Sequence, residues 1–496
     1  MPANANGGAA AGGVAGAANC GTRGVILVHH LIGQQSLTSG WLPVVAQLIT
    51  LVSVVAAVGS HSQRWCRVWL PGAALVGSGF VVVVDGYIGS IGVVGGPVPH
   101  RLLWWVGLTG FSLVVAAAGW RGARWLRRGI TVLSVPACAL CAALVVNQWV
   151  GYFPTVHAAW NQLTVGSLPD QTDRMTVTAM QITGARPSQG VVVPVTISAA
   201  ASRFRHRDEL IYLPPTWFAT NPPPRLPVVM MIGAQLNTPA DWLRAGGAVQ
   251  TIDDFATAHG GNAPVFVFVD ATGTFNNDTE CVNGTRGNAS YHLTKDVVPY
   301  MISNFGVSAD RNDWGIVGWS MGGTCAVDLT VRRPELFSAF VDISGDLGPN
   351  SGNKAQTIAG LFGGDANAWA TFDPTTVIAR HGQYSGVSGL FEVAARSGAV
   401  GVADFSNPEG QDRAAQALST LGSAHGIDCS VLRLQGRHDW PFAAEAFSAA
   451  LPWLAGRLGT PGVPSIPLPG DPAAERLPVA TLPSLADSQA AKPKGG

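Results

Sequence analysis

The residues best suited to covalent chemistry are a serine between glycines, Gly318-Trp319-Ser320-Met321-Gly322. A serine hydroxyl is a weak nucleophile until a base takes its proton. The G-x-S-x-G spacing places such a serine on a sharp turn from a strand into a helix, and the small residues let the backbone approach closely. The flanks meet that requirement: WGIV reads as a strand before Ser320 and TCAVDLTVRR as a helix after it. In this arrangement the partners follow in the order serine, acid, histidine. His438, in Gly436-Arg437-His438-Asp439-Trp440, comes just after the last apolar strand and is the expected base, while His425 ends the preceding helix. The acid belongs after the penultimate strand, GLFEVAA at 389–395. Asp404 is the first choice there and Glu409 the second; Asp412 follows in the same stretch, and Glu392 lies inside the strand. Two backbone N–H groups are expected to receive the oxyanion. These are Met321, next to the nucleophile, and Ala234, in the turn after LPVVMMIG with Gln235 beside it.

The elements that hold these residues alternate in type. Short apolar strands are expected at 190–198, 209–217, 226–233, 263–270, 314–320, 337–345, 389–395 and 429–436, and helices at 321–333 and 410–424 among others. Buried strands alternating with helices predict an α/β domain with a mainly parallel sheet.

The first 150 residues follow a different pattern. Four apolar runs, Trp41 to Gly59, Pro71 to Gly95, Leu102 to Gly119 and Gly129 to Val150, are each long enough to cross a hydrocarbon core as a helix. Asp85 is the one acid within a run, and Pro136 is tolerable in a membrane helix. The first run begins forty residues in and three more follow, which argues against a cleaved signal peptide. Arg64 and Arg67 fall between the first and second runs, and Arg121, Arg124, Arg127 and Arg128 between the third and fourth. The opposite loop carries only Arg101 and the N-terminal tail only Arg23. Positive loops stay in the cytoplasm, so both termini and everything after Val150 are expected outside.

Composition excludes other classes. Lys+Arg and Asp+Glu are both 30, a balance that gives no basic surplus for nucleic acid. Charged residues are 12% and apolar ones 47%, with a mean hydropathy of +0.25, which a wholly soluble or disordered chain does not show. Seven cysteines over 496 residues make no disulfide scaffold. Cys281, Cys325 and Cys429 compete for any single pairing. No phosphate-cradling or dinucleotide glycine motif, no HExxH and no dense His/Cys cluster occurs along the chain, so no cofactor and no metal is expected.

The blocks YLPPTW, LPVVMMIGAQLNTPADW, DTECVNGTRGN, WGIVGWSMGGTCA, RRPELFSAFVDISGDLGP and GRHDWPF resemble the esterase D-type esterases. More narrowly they resemble an actinobacterial branch with a four-helix membrane domain in front. The mycobacterial fibronectin-binding mycolyltransferases are similar relatives. The resemblance implies an α/β-hydrolase domain with Ser320 as nucleophile, His438 as base, Ala234 and Met321 at the oxyanion positions, and Gln235 and Trp440 near the substrate. Ile232 and Gln235 stand where mycolyltransferases carry an acid and an arginine for trehalose. The expected organisation is a tail (1–40), a four-span membrane domain (41–150), a linker (151–184), the hydrolase domain (185–457) and a flexible Pro/Ala-rich tail (458–496).

The expected function is a membrane-anchored extracytoplasmic serine esterase or acyltransferase. It would act on acyl esters or glycolipids of the envelope at the plasma membrane, without nucleic acid. The alternative is a catalytically degenerate hydrolase-like module that binds envelope glycolipid or protein. The topology is directly testable. Alkaline phosphatase fused after Arg457 is expected to be active in a bacterial host and a cytoplasmic reporter there silent. The reverse pattern would remove the four-span orientation.

Overall fold

A computed structural model describes residues 33–59, 62–91, 98–120, 125–164, 168, 170–395 and 407–470. The chain divides into two compact units, one formed chiefly by residues up to Pro169 and the other by residues from Asp170 onward.

The first unit holds four long apolar helices: α1 (Trp41–Val58), α2 (Leu70–Ile91), α3 (His100–Gly119) and α4 (Trp125–Val150). A π-helical turn, Trp65–Trp69, runs straight into α2. All four are long enough and apolar enough to cross a membrane. Packing is sequential for α2 on α3 and α3 on α4, and α1 closes against α4. The helices extend beyond the apolar runs. Arg67 lies in the turn leading into α2, and Arg127 and Arg128 lie inside the first turn of α4, rather than in loops. A helix has no reason to stop at the first charge, because a long side chain carries its guanidinium outward from a buried stem. Arg121 and Arg124 lie outside the described residues. Arg127 donates 2.8 Å hydrogen bonds to the Ala57 and Val58 carbonyls, satisfying the open C-terminal end of α1. At the other end, Leu37 and Val156 exchange backbone bonds with Pro154 and Gln35. The chain therefore enters α1 and leaves α4 at the same end, as four antiparallel spans require.

The second unit is built on an eight-stranded sheet. Its strands are β1 (Val191–Val195), β2 (Glu209–Leu213), β3 (Val228–Ile232), β4 (Val265–Val269), β5 (Trp314–Trp319), β6 (Ala339–Ile343), β7 (Ser388–Ala395) and β8 (Asp428–Gln435). The spatial order is β1-β2-β4-β3-β5-β6-β7-β8. Strands β3 to β8 pair in parallel, while β1 and β2 join antiparallel. Parallel strands buried on both faces read as continuous apolar runs, which is how these were recognised. One face carries Ile316, Phe340 and Phe391 against α9 (Met321–Arg332) and α10 (Gln411–Ala424), the helix labels following chain order after α5 (Val156–Thr164), α6 (Arg174–Thr183), α7 (Ala248–Ala258) and α8 (Val298–Phe305). The opposite face carries Phe266, whose ring meets Phe447 of α11 (Trp440–Arg457) edge-on at 6.0 Å.

Two segments are more ordered than their composition predicts. The stretch 151–184 was expected to be a linker, yet it contains α5 and α6. Asp173 caps α6 by accepting from the Thr176 N–H, and Val177 enters the core of the second unit. Residues 458–470 were expected to be flexible, yet Leu468 is buried and Ser430 donates to the Pro469 carbonyl on β8. Composition reports an average, whereas one buried leucine and one backbone bond suffice to dock such a segment. Residues 471–496 lie outside the described residues. Cys281 and Cys325 form a disulfide that ties α9 to the preceding 278–284 segment, leaving Cys429 as a thiol whose pKa burial pushes up to about 12.

Asp342, on β6, is 2% exposed, and its Oδ1 accepts the Gly345 N–H at 2.6 Å. Burial pushes its carboxyl up to about 7. A raised folded pKa contributes stability that is whole below the unfolded value near 4 and is lost as pH rises through 7. The expected loss by pH 8.5 is on the order of a few kcal/mol. Asp342→Asn imitates the protonated acid, so its melting temperature is expected to fall less than the wild-type value between pH 5.5 and 8.5. Parallel melting curves across that range would dismiss a buried titration at Asp342.

Candidate active site

Ser320 sits between β5 and α9 with φ 56° and ψ −117°, in a region that L-residues rarely adopt. The turn is tight because its glycines have no side chain. A Cβ on Gly318 would stand 1.7 Å from the Gly322 carbonyl oxygen, and one on Gly322 would stand 2.3 Å from that of Ile232. The Ser320 N–H donates to the Ile343 carbonyl at 2.9 Å, which anchors the turn to β6. Its hydroxyl is thereby held at the end of the central strand, above the first turn of α9.

The loop after β8 brings His438 to this turn across 118 residues of chain, with Nε2 3.0 Å from Ser320 Oγ. Its ring lies against the Trp319 ring at 4.4 Å between centroids. Burial pushes its imidazole down to about 4, so it is neutral near pH 7 and able to accept a proton. His438 Nδ1 is buried and has no hydrogen-bond partner among the described residues. His425 points elsewhere, its Nδ1 meeting the Gly382 carbonyl at 2.9 Å.

The expected acids separate sharply. Asp404 lies outside the described residues. Glu409 precedes α10, and its carboxyl is hydrogen-bonded to Asp346. Asp346 also accepts from Gln411 Nε2 at 3.1 Å and Asn350 Nδ2 at 2.8 Å. Burial, then the Glu409 charge, raises the Asp346 carboxyl well above the usual range. Asp412 lies in the first turn of α10. Glu392, on β7, is fully buried with neither carboxyl oxygen hydrogen-bonded among the described residues, and burial raises it well above the usual range. It shares a register level with Ile343 and Trp319, two strand spacings or about 10 Å from β5.

Of the two oxyanion positions, Met321 is the first residue of α9, where the leading N–H groups have no acceptor within the helix. The Ala234 N–H donates to Asn237 Oδ1 at 2.9 Å, so a ligand oxygen must displace that carboxamide to reach it. Gln235 is half-buried in the same turn, and Trp440 opens α11 fully buried. Sequence reading missed the residues that hold this turn. Arg207 donates to the Asn237 carbonyl at 2.9 Å and grips Asp270 with Nε and Nη2 at 2.9 and 2.8 Å. Burial alone would raise Asp270, but the Arg207 guanidinium outweighs it and holds the carboxyl down to about 2. Arg207 follows two other basic residues in RFRHR, and that surface-like string concealed the clamp.

An uncharacterized protein of Corynebacterium glutamicum is 28% identical over 430 residues, covering 84% of this chain and 96% of that relative. Only 346 residues follow Val150, so the likeness extends into the four-helix half. Among solved structures, a ferulic acid esterase is 17% identical with a TM-score of 0.42, covering 54% of this chain and 99% of its own. An S-formylglutathione hydrolase from Agrobacterium tumefaciens is 16% identical with a TM-score of 0.44, covering 55% and 97%. MPT51 (FbpC1) of Mycobacterium tuberculosis is 18% identical with a TM-score of 0.38, covering 53% and 99%. A family model described as "Putative esterase" matches residues 204–454, just over half of the chain and a span that includes both the serine turn and the histidine loop, and this protein therefore belongs to that esterase family.

Proposed function

We propose that this esterase-family protein is a membrane-anchored serine enzyme. Its second unit faces the cell exterior and cleaves or transfers acyl groups of envelope esters through an acyl-enzyme. The observation that carries the reading is the 3.0 Å contact between His438 Nε2 and Ser320 Oγ at a strained turn. Ser320 Oγ attacks the ester carbonyl as Nε2 takes its proton. The tetrahedral oxyanion is received by the Met321 N–H, joined by Ala234 once Asn237 yields. Collapse expels the alcohol, which leaves with the proton from His438. Water or an acceptor hydroxyl then surrenders a proton to His438 and releases the acyl group. Hydrolysis and transfer differ only in that second hydroxyl. Asp404 is assigned as the acid that orients His438, because the Glu409 carboxyl is engaged by Asp346. Four arginine-flanked apolar helices and the Cys281–Cys325 disulfide support an oxidising, extracytoplasmic setting.

A non-catalytic glycolipid-binding module is the second reading. It is favoured by the Ala234 N–H being taken by Asn237. A fluorophosphonate probe separates the two readings. Wild-type protein is expected to label and Ser320→Ala to lose both labelling and ester turnover while keeping its melting temperature. A wild-type chain that fails to label across probes and esters would leave the binding module standing.

The acid is tested separately. Asp404→Asn is expected to cost about a hundredfold or more in kcat, and Glu409→Gln much less. A larger loss at Glu409 would exchange the two assignments, and no loss at either would leave a Ser-His pair.

A further inference from the structure

A second cluster lies on the same edge of the sheet. Glu209 opens β2, and Leu210 beside it pairs with Phe268 near the end of β4. Three strand spacings, about 14 Å, separate this position from β5 and Ser320. Glu209 is fully buried. Two imidazoles converge on its Oε1, His206 through Nδ1 at 2.9 Å and His292 through Nε2 at 2.8 Å. The two rings are stacked with centroids 4.0 Å apart. The three ligand atoms all lie within 4.8 Å of one another. The second carboxylate oxygen, Oε2, is buried and has no hydrogen-bond partner among the described residues.

His292 is also held from behind. His292 Nδ1 faces Asp296 Oδ2 at 3.4 Å, one turn along a π-helical segment, His292–Val297. Asp296 is itself fixed by the Ala201 and Ser202 N–H groups, at 2.9 and 3.2 Å. An imidazole that gives one N–H to a carboxylate or carbonyl presents its other nitrogen as a lone pair, the usual support behind metal-binding histidines. The Arg207 carbonyl oxygen, 2.8 Å from His206 Nδ1, lies within reach as a fourth donor.

We propose that His206, Glu209 and His292 form a divalent-metal site, with zinc(II) the best match to two imidazoles and a carboxylate. Zinc lies about 2.0–2.2 Å from such ligands, so tetrahedral ligand atoms stand roughly 3.3 Å apart. The two nitrogens stand 2.9 and 2.8 Å from Oε1, about half an ångström inside that spacing, and all three atoms lie within 4.8 Å of one another. The role is structural. The ion would lock the segment leading into β2 against the helix entering α8, 83 residues away along the chain. Arg207, next to His206, clamps the turn bearing Ala234. The site uses none of Ser320, His438 or Asp404, so it stands or falls independently of the acyl-transfer reading.

The test uses full-length protein in detergent, purified without a polyhistidine tag, exposed to zinc and then dialysed. Elemental analysis is expected to find one zinc per chain in wild-type and Ser320→Ala protein, and none in Glu209→Gln or His292→Gln. Removing the ion with a chelator is expected to lower the melting temperature by about 5 °C or more. Cobalt(II) added to the stripped wild-type chain should give visible d–d absorption, a readout that needs no variant to fold. Wild-type protein that retains no zinc, melts alike with and without chelator and stays colourless with cobalt would overturn the site. Full zinc retention by Glu209→Gln and His292→Gln would overturn it equally.

Discussion

The rest of the second unit depends on holding Ser320 at a positive φ. A non-glycine residue there costs on the order of 1–3 kcal/mol, and it persists only where its surroundings leave no alternative. Here the surroundings are backbone. The Ile343 carbonyl holds the Ser320 N–H, and the Gly318 and Gly322 carbonyl contacts leave no room for a Cβ. Those contacts require β3, β5 and β6 to lie side by side in parallel, which they do in register. They also require α9 to start immediately after the serine, and the Cys281–Cys325 disulfide pins that helix one turn further on. The strain therefore rests on the centre of the sheet, where all three strands are buried along their length.

Around that turn the protein buries more carboxyl groups than it has cations to match. Asp342, Asp346 and Glu392 all have carboxyls raised by burial, and Asp278 and Glu280 form a further buried pair raised for the same reason. A neutral acid costs far less to bury than a carboxylate and can donate a hydrogen bond. Asp270 is the counterexample, because Arg207 stands against it and keeps it charged.

The helical unit follows a simpler rule. Its helices have almost no internal charge, and their arginines gather at the ends. The Arg127 guanidinium both completes the last carbonyls of α1 and marks the boundary of the apolar span. One side chain thus meets a backbone requirement and an interfacial one together.

How much of this was legible in the chain depended on the range of the interactions. Local patterns were readable. The apolar runs of the four helices, the buried strands of a parallel sheet and the glycine-serine-glycine turn each depend on residues within a few positions of one another. The approach of His438 to Ser320 was also readable, because chain order and its place after the last strand limited the choice. Interactions between distant segments were not readable. The linker helix that docks Val177, the pairing of Cys281 with Cys325 over Cys429, and the meeting of the Asp346 and Glu409 carboxyls are settled by proximity that only folding creates. The same reason hid the convergence of His206, Glu209 and His292. Ligand spacing along the chain reveals a metal motif only when the ligands share one turn or one hairpin. Here the third ligand comes from a helix 83 residues past Glu209, brought in by the packing of that helix against the edge of the sheet.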